Sequence, residues 1–136
     1  MKELTIEAKI DNLSKVQEFV EEQLAEYECP MKALIQLNVA VEELFVNIAS
    51  YAYNPETGPA TIMVETQEDP LSVCITFVDN GVPYDPLAKE DPDITLTAEE
   101  RKIGGLGIFM VKQSMDDVTY RYENGKNILS IRKNLN

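Results

Sequence analysis

The spacing of apolar and polar residues predicts a strand followed by two helices in the first part of the chain. Residues 4–9 alternate between apolar and polar side chains, which is typical of a half-buried strand. Apolar residues then recur at helical spacing over positions 16–24, where Asn12 or Ser14 can serve as the N-cap. The same spacing returns from about Met31 to Ala52 and predicts a second, longer helix.

The second half of the chain predicts two strands, a long polar segment, a helix and a hairpin. Residues 82–103 hold three prolines and nine charged residues with little periodicity, which is typical of a functional lid or of disorder. Asn124-Gly125 lies between two alternating runs and is a strong hairpin signal. The remaining predicted elements are strands at Thr61–Thr66 and Ser72–Val78, a helix from Leu106 to about Ser114, and hairpin strands at Val118–Glu123 and Asn127–Arg132.

This order of elements predicts one α+β domain over residues 1–136. Helices that come in a group beside hairpin-forming strands pack on one face of a sheet, giving a two-layer sandwich. We expect a mixed, mostly antiparallel sheet with the helices on one face. A chain of 136 residues agrees with a single domain.

Composition excludes several classes of function. The net charge of −12 argues against direct nucleic-acid binding, because phosphate contacts need clustered Lys and Arg. There is no histidine, so a mechanism that uses an imidazole base, a histidine metal ligand or a phosphohistidine is excluded within this chain. Cys29 and Cys74 are far apart and predict two small buried thiols in a reducing cytoplasm, not a disulfide framework.

Neither a membrane span nor a secretory signal is expected. No run approaches the ~18 consecutive apolar residues of a membrane helix. The first ten residues carry four charges, which a signal-peptide core would not contain. We therefore expect a cytoplasmic protein that does not enter a membrane.

Three short elements carry candidate chemistry, and each also has a structural explanation. Glu43 and Asn47 are four residues apart and share one face of the second helix, as a solvated stripe would also do. Asp79-Asn80-Gly81 ends an apolar strand, where it can form a turn or accept a hydrogen bond from a nucleobase amine. The run Gly104-Gly105-Leu106-Gly107 opens a helix, where backbone N–H groups can bind phosphate or where the glycines allow tight packing.

The order and spacing of these elements resemble the N, G1 and G2 boxes of the GHKL superfamily of ATPases and kinases. Within it, the chain is most similar to the short anti-sigma-factor serine/threonine protein kinases. The matching stretches are residues 41–47, 79–86 and 104–112. The resemblance implies a Bergerat-type ATP-binding fold in which residues of about 82–104 form an ATP lid.

The resemblance also assigns expected roles. Asn47 would ligate Mg²⁺, and Glu43 would act as general base or position the attacking hydroxyl. Asp79 would accept a hydrogen bond from the adenine amine. Gly81, Gly105, Leu106 and Gly107 would complete the ATP site, with the glycines giving close backbone access. The sequence departs from the family pattern at Tyr51, where relatives often carry a histidine.

Three functions remain open at this point. The first is an ATP-dependent kinase that phosphorylates a Ser or Thr of a small antagonist protein and otherwise sequesters a sigma factor. The resemblance also implies a homodimer. The second is a non-catalytic module that is switched by ATP and ADP and gates the binding of a partner protein. The third is a detached histidine-kinase-like catalytic domain that acts in trans.

Overall fold

In a computed structural model, the strands and helices follow the apolar periodicity of the chain. The structure describes residues 2–53, 55–68, 70–88 and 105–135. The strands are β1 (Lys2–Glu7), β2 (Pro59–Gln67), β3 (Ser72–Asp79), β4 (Asp117–Glu123) and β5 (Lys126–Asn134). The helices are α1 (Leu13–Leu24), α2 (Met31–Asn47) and α3 (Gly105–Ser114), and α2 continues into a π-helical turn, Ile48–Ala52.

The five strands form one sheet in the order β1-β2-β3-β5-β4. All four pairings are antiparallel, where a mixed, mostly antiparallel sheet was expected. The α+β fold class is confirmed. β3 is the central strand, and its pairing with β5 puts Asp79 directly opposite Asn127.

The core lies between the helices and one face of the sheet. Alternate residues of the strands point into it, as a half-buried sheet requires. The sheet contributes Ile62, Ile75 and Ile131, and the facing side of α2 contributes Val41 and Phe45, all at most 1% exposed. This packing holds the last turn of α2 over the ends of β3 and β5.

The predicted hairpin at Asn124-Gly125 is present between β4 and β5. Asn124 has a φ of 54° and Gly125 a φ of 76°, so both central residues are left-handed. A two-residue hairpin turn of this kind favours Asn-Gly, because other residues rarely adopt positive φ. The turn fixes the register of β5 against β4, in which Asn127 lies opposite Tyr122.

The helix Met31–Ala52 is long and apolar enough to cross a membrane by length and composition alone. Its inner face is buried against the sheet, with Leu37, Val41 and Phe45 nearly inaccessible to solvent. Burial in a protein core explains the same apolar composition. The two cysteines are free, and both are half-buried, where buried thiols were expected.

The predicted lid falls largely outside the described part of the chain. Only its first residues, 82–88, are described, and they end in a short 3₁₀ turn at Pro86–Ala88. Residues 89–104, including Gly104, lie outside.

Candidate functional site

A pocket lies where α2 and its π-helical turn meet the ends of β3 and β5. It encloses about 450 Å³ of free space, part of it open to solvent. Most of its lining is apolar or aromatic, with a few polar groups. The lining residues are Leu44, Asn47, Ile48, Tyr51, Ala52, Phe77, Asp79, Val82, Tyr84, Pro86, Tyr120, Asn127 and Leu129.

Asp79 is the last residue of β3 and a buried polar group of this pocket, with 5% of its surface exposed. Its Oδ1 accepts a hydrogen bond from the backbone N–H of Gly81 at 2.9 Å. The same Oδ1 accepts a second from Nδ2 of Asn127 at 2.9 Å. The carboxylate is thereby held in one orientation at the wall of the pocket.

Gly81 is required by the close approach of its turn to the end of α2. A β-carbon on Gly81 would lie 2.3 Å from the carbonyl oxygen of Ala52, a distance that real contacts do not reach. That same carbonyl accepts a hydrogen bond from the N–H of Val82 at 3.0 Å. The turn after β3 therefore packs directly on the π-helical turn.

Tyr53 also stabilises the turn after β3, through two hydrogen bonds of its hydroxyl group. Its hydroxyl donates to the carbonyl of Pro59 at 2.6 Å and accepts from the backbone N–H of Asn80 at 2.8 Å. Burial raises the pKa of Tyr53 above its usual value, so the hydroxyl stays protonated and can donate. Together with Asp79 and Gly81, this residue makes the turn a fixed part of the site.

Glu43 lies on α2 with its carboxylate against the first turn of α3. A β-carbon on Gly107 would lie 2.1 Å from Cδ of Glu43 and 2.3 Å from each carboxylate oxygen. Burial, and to a smaller extent the charge of Glu42, raises the pKa of Glu43 above its usual value. A half-buried carboxylate with a raised pKa is typical of a group that accepts a proton in catalysis.

Asn47 lies one turn beyond Glu43 on α2 and lines the pocket. Its Nδ2 is buried and has no hydrogen-bond partner in the described part of the protein. Buried polar atoms are nearly always paired, so an orphaned amide at a pocket wall indicates a ligand-binding group. The amide can turn about its last torsion to present its oxygen, the ligand atom that Mg²⁺ prefers.

The described residues contain no group of three or more His, Cys, Asp or Glu that could hold a metal ion alone. A single amide oxygen suits Mg²⁺ bound chiefly through phosphate and water. The donor set is thus compatible with a magnesium–nucleotide complex and not with a metal site made wholly of protein.

Three residues of the glycine run, Gly105, Leu106 and Gly107, are the first residues of α3. The helix begins at Gly105, and its first backbone N–H groups have no partner within the helix. That end also carries the positive end of the helix dipole, which favours an anion. The roles of Gly105 and Leu106 in the ATP site stay predictions.

Tyr51, at the family's usual histidine position, lies at the rim of the pocket. It is 45% exposed, and its ring centre is 5.9 Å from that of Tyr84 in a tilted arrangement. The two rings make one side of the pocket mouth aromatic.

The structure brings most of the predicted residues together. Asn47 and Asp79 share one pocket, Gly81 adjoins it, and Glu43 contacts Gly107 beside it. Sequence reasoning missed Tyr53, Tyr120 and Asn127. Asn127 left a signal, because this polar residue stands in the same alternation as the inward-facing Leu129 and Ile131.

Known proteins are similar to this chain in sequence and in fold. The sequence profile of the histidine kinase-like ATPase domain matches residues 6–133. The chain belongs to the histidine kinase-like ATPase domain family. The family assignment agrees with the GHKL resemblance of the three boxes and with ATP as the nucleotide.

Similar sequences include serine-protein kinases named RsbW. The protein from Listeria monocytogenes serovar 1/2a is 32% identical over 103 residues, which cover 72% of this chain and 64% of the relative. The one from Bacillus cereus strain B4264 is 32% identical over 97 residues, covering 68% of this chain and 59% of the relative. The chain thus spans less than two thirds of the length of these relatives.

Two solved structures share the fold. A Mycobacterium tuberculosis protein with RsbU and RsbW domains superposes with a TM-score of 0.64 at 15% identity, covering 99% of this chain and 33% of that one. The histidine kinase domain of an Erythrobacter litoralis blue-light-activated kinase gives a TM-score of 0.55 at 13% identity, covering 93% and 60%. At such low identity these similarities establish the fold of the chain.

Proposed function

We propose that this chain is a cytoplasmic protein-serine/threonine kinase that acts as an anti-sigma regulatory factor. It transfers the γ-phosphate of ATP to a Ser or Thr of a small antagonist protein and binds a sigma factor when that antagonist is absent. The observation that carries the proposal is the half-buried carboxylate of Glu43, which lies against Gly107 one helical turn from Asn47.

Adenine recognition is assigned to Asp79. Its Oδ1 is occupied by Gly81 and Asn127, and the second carboxylate oxygen supplies an acceptor for the exocyclic amine of the base. The surrounding apolar side chains, such as Leu44 and Phe77, give the ring a surface to pack on. An apolar pocket with one well-oriented polar group is typical of a nucleobase site.

Asn47 would hold Mg²⁺ together with the triphosphate. The bound ion neutralises phosphate charge during transfer. The backbone N–H groups at the start of α3, including that of Gly105, would donate hydrogen bonds to the phosphate oxygens. In this arrangement Asn47 and the start of α3 orient the phosphates. No Lys or Arg is among the described residues that line the pocket.

Glu43 takes the proton of the attacking hydroxyl as the hydroxyl oxygen forms its bond to the γ-phosphorus. The bond between that phosphorus and the bridging oxygen breaks, and ADP leaves with the electron pair. The raised pKa of Glu43 suits it to hold this proton transiently. Phosphoryl transfer relies mostly on positioning, so the contact with Gly107 is as important as the pKa.

A second candidate function is a non-catalytic switch between ATP-bound and ADP-bound states. The observation that favours it is the attachment of the first lid residues to the pocket, through the hydrogen bond from the Val82 N–H to Ala52. A nucleotide that contacts this segment could change the position of the lid and so the affinity for a partner. The histidine-kinase alternative would need a phosphoacceptor from another chain, because this one has no histidine.

Two measurements test the proposal. Mg-ATP is expected to raise the melting temperature, because a ligand that binds only the native state stabilises it. γ-labelled ATP is then incubated with the protein and with a candidate antagonist domain encoded beside it. Label on a Ser or Thr of the antagonist supports the kinase. Stabilisation by Mg-ATP with no transfer to any candidate would favour the switch, and no response to nucleotide would refute both.

A further inference from the structure

Asn127 is a buried polar residue that none of the predicted roles includes. It is 6% exposed and stands in β5 directly opposite Asp79 of β3. Its neighbours in the inward-facing alternation, Leu129 and Ile131, are core residues. A polar side chain at such a position costs stability unless its hydrogen bonds are made.

All four hydrogen-bonding positions of the Asn127 amide are used. Its Nδ2 donates to Oδ1 of Asp79 at 2.9 Å and to the carbonyl of Val82 at 2.8 Å, with the Gly81 carbonyl at 3.5 Å beside them. Its Oδ1 accepts from the backbone N–H of Tyr84 at 3.1 Å and from the hydroxyl of Tyr120. An amide has two donors and two acceptor sites, so this side chain is saturated.

The orientation of the amide follows from these partners. Exchanging its oxygen and nitrogen would set the oxygen against the carboxylate of Asp79 and the carbonyl of Val82. It would also set the amino group against the N–H of Tyr84. Both arrangements are repulsive, so the donor must face Asp79.

This orientation fixes which oxygen of Asp79 is left for a ligand. Both hydrogen bonds recorded for the Asp79 side chain in the described residues fall on Oδ1, from Gly81 and Asn127. Oδ2 is left as an acceptor at the pocket. An acceptor in this place can receive a hydrogen bond from the amino group of a base. It repels a base that carries a carbonyl oxygen at the same position.

The same amide also anchors the start of the lid. Val82 and Tyr84, which are both backbone partners of Asn127, lie on either side of Pro83 in the segment that leads from β3 into the lid. One side chain therefore fixes both the base-facing carboxylate and the first residues of the lid. Loss of its donor would release the two together.

We propose that Asn127 is a positioning residue that gives the pocket its preference for a 6-aminopurine over a 6-oxopurine by orienting Asp79. This inference rests on the proposed binding of ATP. It adds that selectivity for the base depends on a residue of β5 that need not touch the nucleotide.

The test compares the dissociation constants of ATP and ITP, whose bases differ in carrying an amino group or an oxygen at position 6. Asn127→Asp keeps the size and the acceptor of residue 127 but removes the hydrogen bonds that its amino group donates to Asp79 and Val82. Asn124→Asp makes the same chemical change at the exposed hairpin turn and is the matched control. Asn127→Ala removes the donor to Asp79 without adding a charge, and melting curves verify that each variant is folded.

We expect the ratio of the ITP to the ATP dissociation constant to fall about tenfold or more in both Asn127 variants, since the lost hydrogen bond involves a charged group. The ratio is expected to stay at the wild-type value in Asn124→Asp. Equal weakening of ATP and ITP, or an unchanged ratio, would show that Asn127 is merely structural and would overturn the inference.

A double variant distinguishes action through Asp79 from a direct effect. In an Asp79→Ala background, which has no carboxylate for residue 127 to position, Asn127→Ala is expected to change the ITP-to-ATP ratio no further. A further fall of similar size would refute the role of Asp79 as intermediary. If the wild-type protein binds ATP with preference and the variants keep that preference, the inference alone fails. If the wild-type protein binds neither nucleotide, the proposed function fails as well.

Discussion

The carboxylate of Glu43 and the α-carbon of Gly107 are in direct contact, so that α2 and α3 meet at the proposed reaction centre. A β-carbon at position 107 would lie 2.1 Å from Cδ of Glu43. The glycine is therefore needed for packing, whether or not its backbone also approaches a phosphate. A side chain at position 107 would therefore require Glu43 to move.

Gly107→Ala is expected to destabilise the protein by about 1–3 kcal/mol, the usual cost of overpacking. The carboxylate must move away from the added methyl group, so phosphotransfer should fall as well. Urea denaturation measures the first effect and labelled ATP the second. In a Glu43→Ala background the clash is absent, and Gly107→Ala should then cost little. An equal cost in both backgrounds would contradict the contact.

Glu43→Gln is expected to keep ATP affinity and to lower the rate of transfer to the antagonist by about 10²–10⁴-fold, the usual contribution of a general base. Glutamine has the shape of glutamate and preserves the packing on Gly107. Glu42→Gln removes an exposed carboxylate from the adjacent position and should leave transfer nearly unchanged. Undiminished transfer by Glu43→Gln would remove the residue from the mechanism.

The raised pKa of Glu43 gives a pH dependence of defined sign. The folded protein keeps the Glu43 proton to higher pH than the unfolded chain does, so the stability linked to it is present at acid pH and lost as pH rises through the folded pKa. Relative to Glu43→Gln, wild-type protein should lose unfolding free energy as the pH rises from the usual glutamate pKa of about 4 through the raised pKa of folded Glu43. Transfer should increase over the same range, as the ionised base forms. Parallel denaturation series on the two proteins measure the difference, and a constant difference would refute the shift.

Asp79→Asn is expected to weaken ATP binding about tenfold or more while leaving the fold intact. The asparagine oxygen can still accept from Gly81 and Asn127, so the turn keeps its hydrogen bonds. Calorimetric titration gives the affinity and a melting curve gives the stability. Asp85→Asn, at an exposed carboxylate of the same segment, is the control. Unchanged ATP affinity in Asp79→Asn would exclude adenine recognition by this residue.

Asn47→Ala is expected to reduce the additional thermal stabilisation that Mg²⁺ gives to the ATP complex. Its own effect on stability should be small, because the buried Nδ2 forms no hydrogen bond in the described structure. Asn38→Ala changes an amide on α2 that donates only to Glu21 on the surface, and it provides the comparison. A magnesium effect of equal size in all three proteins would exclude Asn47 as a ligand.

Much of the fold could be predicted because its elements are periodic and locally determined. The order of strands and helices, the hairpin at Asn124-Gly125 and the start of α2 at Met31 all follow from short-range patterns. The pairing of β3 with β5 could not be predicted in this way, because no local pattern specifies which distant strands are neighbours. The wholly antiparallel sheet follows from that pairing.

The candidate site could likewise be predicted where it depends on local spacing, and not where it depends on how distant elements pack. The placing of Glu43 and Asn47 on one helix face was readable, because residues four apart are neighbours on a helix. The contact of Glu43 with Gly107 depends on how α2 and α3 pack, and the role of Asn127 depends on the register of β5 against β3. The sequence did show a polar residue in phase with Leu129 and Ile131, which is the signal to look for in similar chains.

The pairing of Asp79 with Asn127 has a consequence for the synthesis of the protein. The two residues are 48 positions apart, so β3 emerges from the ribosome long before the strand that completes its hydrogen bonds. During that interval the open edge of β3 can pair with other chains, a common route to aggregation. ATP cannot protect the nascent chain at this stage, because its pocket does not exist until β5 has docked.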